Sequence, residues 1–260
     1  MIDTDEGPLQ FDIPDHVFGP ERTLLQAFNL WFNPEVHRRV TAGTLKIPFH
    51  LRCAQVLFRS RQPPEVRFNG EISGAFEIET TRAVKAGDPV YSSDIAKFQR
   101  YELDLADADA GHLTVYKHDD GKWQIFFDFQ QNKRSAADLV ASAEQFAATA
   151  EFALSQGLQG PFIDNLYNSS ELLARARLIT AAHEDEVRTH RTVGAKINWW
   201  SKLGNVDRRF VELFNELSRV REQARYRAAA PVLKIENPIE RVRAEIVSLR
   251  DRLSRFSDDP

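Results

Sequence analysis

The period of the hydrophobic positions changes near residue 132. Before it, short runs rich in Val, Ile, Phe and Tyr are separated by turn residues. After it, apolar residues recur every three to four positions. Residues 1–16 read as an irregular acidic lead-in containing Pro8 and Pro14. Leu24, Leu25, Phe28 and Trp31/Phe32 then fall at helical spacing, which predicts a short helix from Glu21 to Phe32 with Pro20 in its first turn. Asn33-Pro34 is expected to close it, because proline disfavours helical geometry in the residue before it.

The strand signal occupies Leu45 to Phe58, Val66 to Glu79, Tyr101 to Leu105 and Leu113 to Phe129. Pro63-Pro64, Asn69-Gly70, Gly87-Asp88-Pro89 and Asp119-Asp120-Gly121 punctuate it. The clearest hairpin pairs His112 to Lys117 with Lys122 to Gln130. In its second arm Trp123, Ile125, Phe127 and Phe129 share one face, and Gln124, Phe126, Asp128 and Gln130 the other. The first of these faces is strongly apolar and must pack on something.

Ser135-Ala-Ala-Asp138 has the pattern of a helix start, and Leu139, Ala143, Phe146, Ala150 and Leu154 mark a stripe that ends near Gly157. A second helix is predicted from Gly160-Pro161 toward Thr189, a third from Val206 to Tyr226, and a last from Ile239 to Phe256 after Asn237-Pro238. Strands followed by helices argue an α+β fold. Residues 1–132 form an antiparallel β-rich region with a short helix, and 133–260 a helical bundle. No Gly/Ser-rich linker separates the two, so sheet and bundle are expected to share an interface.

The 260 residues are 42% hydrophobic, enough for a sizeable core. No apolar run approaches the length of about 18 residues that a membrane-spanning helix requires, and the acidic start does not read as a signal peptide. Cys53 is the single cysteine and cannot form an internal disulfide, so a cytoplasmic location without membrane partners is the expectation. The net charge of −4 hides an asymmetry. Residues 171–260 carry 18 Lys and Arg against 14 Asp and Glu, and residues 1–170 carry 16 against 24. A basic segment attracts phosphate-rich partners and blocks of opposite sign hold domains or subunits together, but solvated helix faces are the simpler account of the asymmetry.

The third helix carries the most specific chemistry. Phe210, Leu213, Phe214, Leu217, Val220 and Ala224 form its apolar stripe. Arg221, eleven residues past Phe210, falls about 20° from it around an ideal helix. A permanently charged guanidinium there needs a carboxylate, carbonyls or a phosphate. Arg221 therefore either ends the buried stripe on a helix carboxylate or, with Arg225 one turn on, receives an anion.

The segment Leu217-Ser-Arg-Val-Arg221-Glu-Gln-Ala224-Arg225-Tyr226, together with Phe162-Ile-Asp-Asn-Leu166-Tyr-Asn-Ser-Ser-Glu171-Leu-Leu-Ala-Arg-Ala, resembles the HEPN superfamily of helical bundles over about 135–256. Members carry an Arg, four to six residues and a His, or an Arg followed by Ala-Asp-Tyr. This chain looks like the second type, with Arg225 where Asp is usual. The resemblance implies a symmetric homodimer, no cofactor and no metal. It makes Arg221 and Tyr226 the counterparts of catalytic residues in metal-independent ribonucleases that toxin and phage-defence systems use. No His follows Arg221 at that distance, and Tyr226 is a poor base at neutral pH. An ideal helix also sets it about 140° round from Arg221. The reading that follows is a binding or regulatory protein for nucleotide, RNA or a protein partner. An endoribonuclease is the first alternative, and a structural protein recruiting a partner through its sheet is the second.

Arg188, His190 and Arg191 are further candidates for touching a phosphate. Arg177 and His183 match the Arg-x5-His string, but six positions on a helix set them about 120° apart, with His183 on the apolar stripe and Arg177 pointing away. His183, Glu186 and His190 would share a face of a continued helix. Because Thr189 onward reads as loop and no further ligand cluster is evident, no metal site follows. Trp199-Trp200 between basic residues suits either packing or stacking on bases. A Gly-rich phosphate loop, Gly-x-Ser-x-Gly and His-Glu-x-x-His are all missing from the sequence.

Overall fold

The computed structural model describes residues 19–181, 187, 189–226 and 231–254. They form two compact units, Met1–Phe129 and Gln130–Pro260, with strands in the first and helices alone among the described residues of the second. The fold is α+β.

The first unit opens with α1 (Pro20–Ala27) and α2 (Asn33–Thr41). Asn33-Pro34 does not end the helix as expected. A π-helical turn over Phe28–Phe32 links α1 to α2, and the Asn33 amide bonds to the carbonyl of Phe28. Such a turn reorders the hydrogen-bond ladder just before Pro34, where the ring has no N–H to offer, so the helix passes the proline.

Six strands follow: β1 (Cys53–Phe58), β2 (Glu65–Phe68), β3 (Gly74–Thr80), β4 (Ile95–Leu103), β5 (Gly111–Lys117) and β6 (Trp123–Asp128). The four-stranded sheet runs β2-β1-β5-β6, antiparallel throughout, and β3 pairs with β4 in a second sheet. Asn69, at positive φ, splits the predicted run Val66 to Glu79 in two. Its side-chain oxygen accepts from the amides of Arg52 and Cys53, at 2.9 and 3.1 Å.

The β5–β6 hairpin forms where expected, but both faces of β6 are used. Trp123 and Ile125 pack with Phe28, Phe32, Ala54 and Val56 beneath α1 and α2. Phe126 turns the other way into rings from β3 and β4, with centroids 5.3 Å from Phe76 and 6.0 Å from Phe98. Phe127 and Phe129 continue the first face, remain exposed and stack on each other at 5.5 Å.

The second unit holds α3 (Lys133–Ser155), α4 (Gln159–Ile179), α5 (His190–Lys202), α6 (Arg208–Tyr226) and α7 (Pro238–Ser254). The first helix starts at Lys133, ahead of the expected Ser135, because Asn132 takes the left-handed conformation and donates its amide to the carbonyl of Ile179 at 3.1 Å. Its buried stripe is also rotated from the expected one. Ala136, Val140, Ala143, Ala147, Ala150 and Ala153 face the core, and Phe146 and Leu154 do not. Small side chains let α3 lie close against α4, where Ser169 donates to the carbonyl of Ala143 at 2.8 Å.

α4 is buried on most of its circumference, which explains its weak amphipathic pattern. That geometry overturns the outward placing of Arg177. Its guanidinium is sealed in, donating Nε–H to Oε1 of buried Glu245 at 2.6 Å and Nη2–H to the Ser248 hydroxyl at 3.1 Å. The loop expected from Thr189 is instead α5, whose cap is Thr189 accepting from the Thr192 amide. The α6 stripe is the one read from the sequence.

Candidate functional site

Asp164, Tyr167, Glu171 and Arg175 lie along one ridge of α4 at spacings of three and four residues, so they share a face. The C-terminal half of α6 and the first residue of α5 lie against that ridge. Gly160 permits the approach: a Cβ there would stand 2.8 Å from the carbonyl oxygen of Ala224. The start of α4 thus lies directly on the end of α6.

Asp164 takes both arginines of the motif. Arg221 donates Nε–H to Oδ1 at 3.2 Å, and Arg225 donates Nη2–H to Oδ2 at 3.0 Å. The Arg221 guanidinium also lies 4.3 Å from the centroid of the Tyr167 ring, within cation–π range. Tyr167 is buried and stacks on Phe214 at 6.0 Å. Burial first, then the neighbouring Glu171 carboxylate, push its phenol up to about 12, against the opposing pull of Arg221. It is therefore a neutral ring and hydroxyl at neutral pH.

His190 closes the cluster. Its Nδ1 is hydrogen-bonded to Oε2 of Glu171 and stands 3.5 Å from the Tyr167 hydroxyl. Arg175 binds the other oxygen of Glu171 through Nε–H and Nη2–H, at 3.0 and 2.7 Å, and donates Nη1–H to the carbonyl of Val187 at 2.7 Å. Glu171 is buried, whereas the His190 side chain is 64% exposed. A buried carboxylate thus fixes Nδ1 of an imidazole whose other edge faces solvent.

The arrangement brings together Arg221, Arg225 and His190. It does not bring Tyr226. α6 continues without a break through that residue, so Tyr226 keeps its position well round the helix and is exposed. The tyrosine beside Arg221 is Tyr167, on α4. Asp164, Tyr167 and Glu171 went unrecognised as site residues. Their signal was the helical spacing of three and four residues that sets Asp164, Tyr167 and Glu171 on one ridge with Arg175. Arg191 is exposed at the start of α5. Arg188, His183 and Glu186 lie outside the described residues, and no group of three metal-ligating side chains occurs among the described ones. Cys53, far along the chain from this cluster, is largely buried, and burial pushes its thiol up to about 11.

Comparison of the chain with family models, curated proteins and solved structures returns no match.

Proposed function

We propose that the α4–α5–α6 cluster binds the phosphate of a nucleotide or of RNA without cleaving it, in an HEPN-like protein that pairs as a homodimer through α6. One observation carries the reading. Arg221 and Arg225, one helical turn apart, share the single carboxylate of Asp164 while remaining partly open to solvent. Two guanidinium groups on one acceptor leave donors for a second acceptor, and guanidinium geometry suits phosphate. Tyr167 beneath Arg221 fixes one wall of the seat, and His190 stands beside it as a further donor. The dimer rests on the resemblance and on the charged end of the α6 stripe. Light scattering at tens of micromolar that returns a monomer removes it.

Binding is tested by fluorescence anisotropy with a labelled RNA oligonucleotide and by calorimetry with ADP. Arg221→Ala should weaken whichever ligand binds by roughly ten- to a hundredfold, since a hydrogen bond to a charged group contributes about 1.5–3 kcal/mol. Lys in its place should rescue only in part, because it lacks the planar fork. Unchanged affinity in Arg221→Ala, or no binding of either ligand by the wild type, defeats the reading.

The Glu171–His190 hydrogen bond favours a second reading, a metal-independent endoribonuclease. An imidazole oriented by a buried carboxylate is equipped to transfer protons, with Arg221 steadying the phosphate. RNA cleavage in the presence of chelator that disappears in both His190→Ala and Arg221→Ala would select it over simple binding.

A further inference from the structure

The four-stranded sheet treats its two edges differently. Its outer strands are β2 and β6. In an antiparallel ladder the backbone groups of successive residues point to alternate sides. Lys117 donates its amide to the carbonyl of Arg52 at 2.8 Å, and His118 donates to that of Lys122 at 2.8 Å. Odd-numbered residues of β5 therefore face β1, and even-numbered ones face β6. Carried through the strand registers, this alternation leaves Val66 and Phe68 pointing outward from β2, and Trp123, Ile125 and Phe127 pointing outward from β6.

On β2 the outward row is plugged by side chains. Arg39 donates Nη2–H to the carbonyl of Val66 at 2.7 Å, and the Phe68 amide donates to Oε2 of Glu71 at 3.0 Å. Arg39 and Glu71 bond to each other at 2.6 Å, so an added strand would meet a closed ion pair. The outward groups of Trp123, Ile125 and Phe127 bond to no described residue. Residues 123–127, Trp-Gln-Ile-Phe-Phe, hold no charge and no proline, and their pairing with β5 runs without a register shift. These are the devices that ordinarily guard an edge strand. The Phe127 side chain is 60% exposed and stacks on exposed Phe129.

We propose that β6 pairs antiparallel with β6 of a second copy of the chain, joining the two four-stranded sheets across a two-fold axis. The strand is suited to meeting itself. A register centred on Ile125 sets each outward N–H against an outward carbonyl. It also puts Trp123 opposite Phe127 of the second copy, an aromatic cross-strand pair. A stretch without charge brings no like charges together. Copies joined β6 to β2 would instead grow as an open filament, and the Arg39–Glu71 plug forbids that contact, so the sheet closes at two copies. The interface uses the strand unit and no residue of α6, so it stands apart from the α6 pairing proposed above.

The test is light scattering on the full chain at tens of micromolar. Phe127→Lys should halve the mass found for the wild type, whether or not α6 also pairs, because it sets a charge in the middle of the new contact. Phe127→Pro should do the same, since it removes an outward N–H and leaves the ladder to β5 intact. Phe152→Lys makes the first of these changes at an exposed phenylalanine of α3 and should leave the mass unchanged. Hydrogen exchange reads the pairing directly: the Ile125 amide should be protected in the wild type and exchange fast in Phe127→Lys, with circular dichroism showing both folded. A monomeric wild type, an unchanged mass in Phe127→Lys, an equal loss of mass in Phe152→Lys, or an Ile125 amide that exchanges equally in both proteins would each overturn the proposal.

Discussion

Arg221 rests on the face of Tyr167, guanidinium carbon to ring centroid 4.3 Å, although the two residues are 54 positions apart in the chain. The contact separates the roles of two tyrosines. A cation over an aromatic face contributes about 0.5–2 kcal/mol. Tyr167→Leu should therefore weaken RNA or nucleotide binding severalfold, and Tyr226→Phe should leave it unchanged, as anisotropy would read. Ultraviolet titration gives an independent check. The phenols of Tyr167 and of Tyr101 should both ionise only near pH 12, so Tyr167→Phe should reduce the 295 nm absorbance step there by about half. The sign agrees with stability: a raised pKa means that the neutral phenol stabilises the fold below pH 10, and that contribution is lost as pH rises through 12.

Asp164 takes one donor of each arginine and sets a negative charge beside the seat, so it opposes any anionic ligand. Asp164→Asn keeps the side-chain shape and removes the charge. Partly exposed ion pairs contribute up to about 1 kcal/mol, so the variant should bind RNA or nucleotide up to about fivefold more tightly. The steeper slope of log affinity against log salt expected from two freed arginines would confirm the cause. Weaker binding would mean that Asp164 positions the arginines instead of competing for them.

Much of this was legible from single residues, and the failures have physical reasons. The α6 stripe was readable because only one face of that helix is buried. The α3 stripe is not legible from side-chain bulk, because Phe146 and Leu154 point out and alanines do the packing. Pro34 has the pattern of a helix stop, and a π turn lets the helix continue past it. α5 was missed because Thr192, Val193, Gly194 and two tryptophans make a weak helix former, held in place by Val193 and Ile197 packing into the core. In the site, Arg221 and Arg225 were legible as charges at the end of an apolar stripe. Asp164 and Tyr167 were not, because their partners come from a helix more than 50 residues on, which periodicity cannot pair. The same blindness put Arg177 outside: helical angles place a side chain relative to its own helix, and its partner Glu245 is 68 residues away.

That buried pair gives a prediction about stability. Glu245 has its pKa raised, chiefly by burial and against the pull of Arg177. Breaking a buried pair from one side leaves an uncompensated charge and costs about 3–5 kcal/mol. Arg177→Met should lose about that much in urea unfolding at pH 7. Because the folded-state pKa of Glu245 then rises further, the loss should shrink as pH falls toward 4 and the carboxyl takes up its proton. Replacing both residues, Arg177→Met with Glu245→Leu, should recover most of the loss at every pH. A single variant equally destabilised from pH 4 to 7 would show that packing, and not charge, sets the cost.

Gly160 connects stability to the site. A methyl group there would stand 2.8 Å from a backbone carbonyl oxygen on α6, closer than such atoms sit in proteins, and the carbonyl cannot rotate away as a side chain can. Gly160→Ala must therefore push the start of α4 off the end of α6. Overpacking of this kind costs about 1–3 kcal/mol, so thermal unfolding should move down by several degrees. Asp164 is one helical turn further along α4, and the displacement should pull its carboxylate from Arg221 and Arg225. The variant then distinguishes two views of the cluster. If Asp164 merely competes with the ligand, Gly160→Ala should bind RNA or nucleotide as tightly as Asp164→Asn despite its lower stability. If the seat depends on α4 and α6 meeting closely, affinity should fall, because Tyr167 moves from beneath Arg221 together with Asp164. The second outcome is expected: both residues belong to the same rigid helix, and a shift that frees the arginines also removes the ring that orients one of them. Anisotropy on Gly160→Ala beside Asp164→Asn, each at a temperature where circular dichroism shows it folded, decides between them.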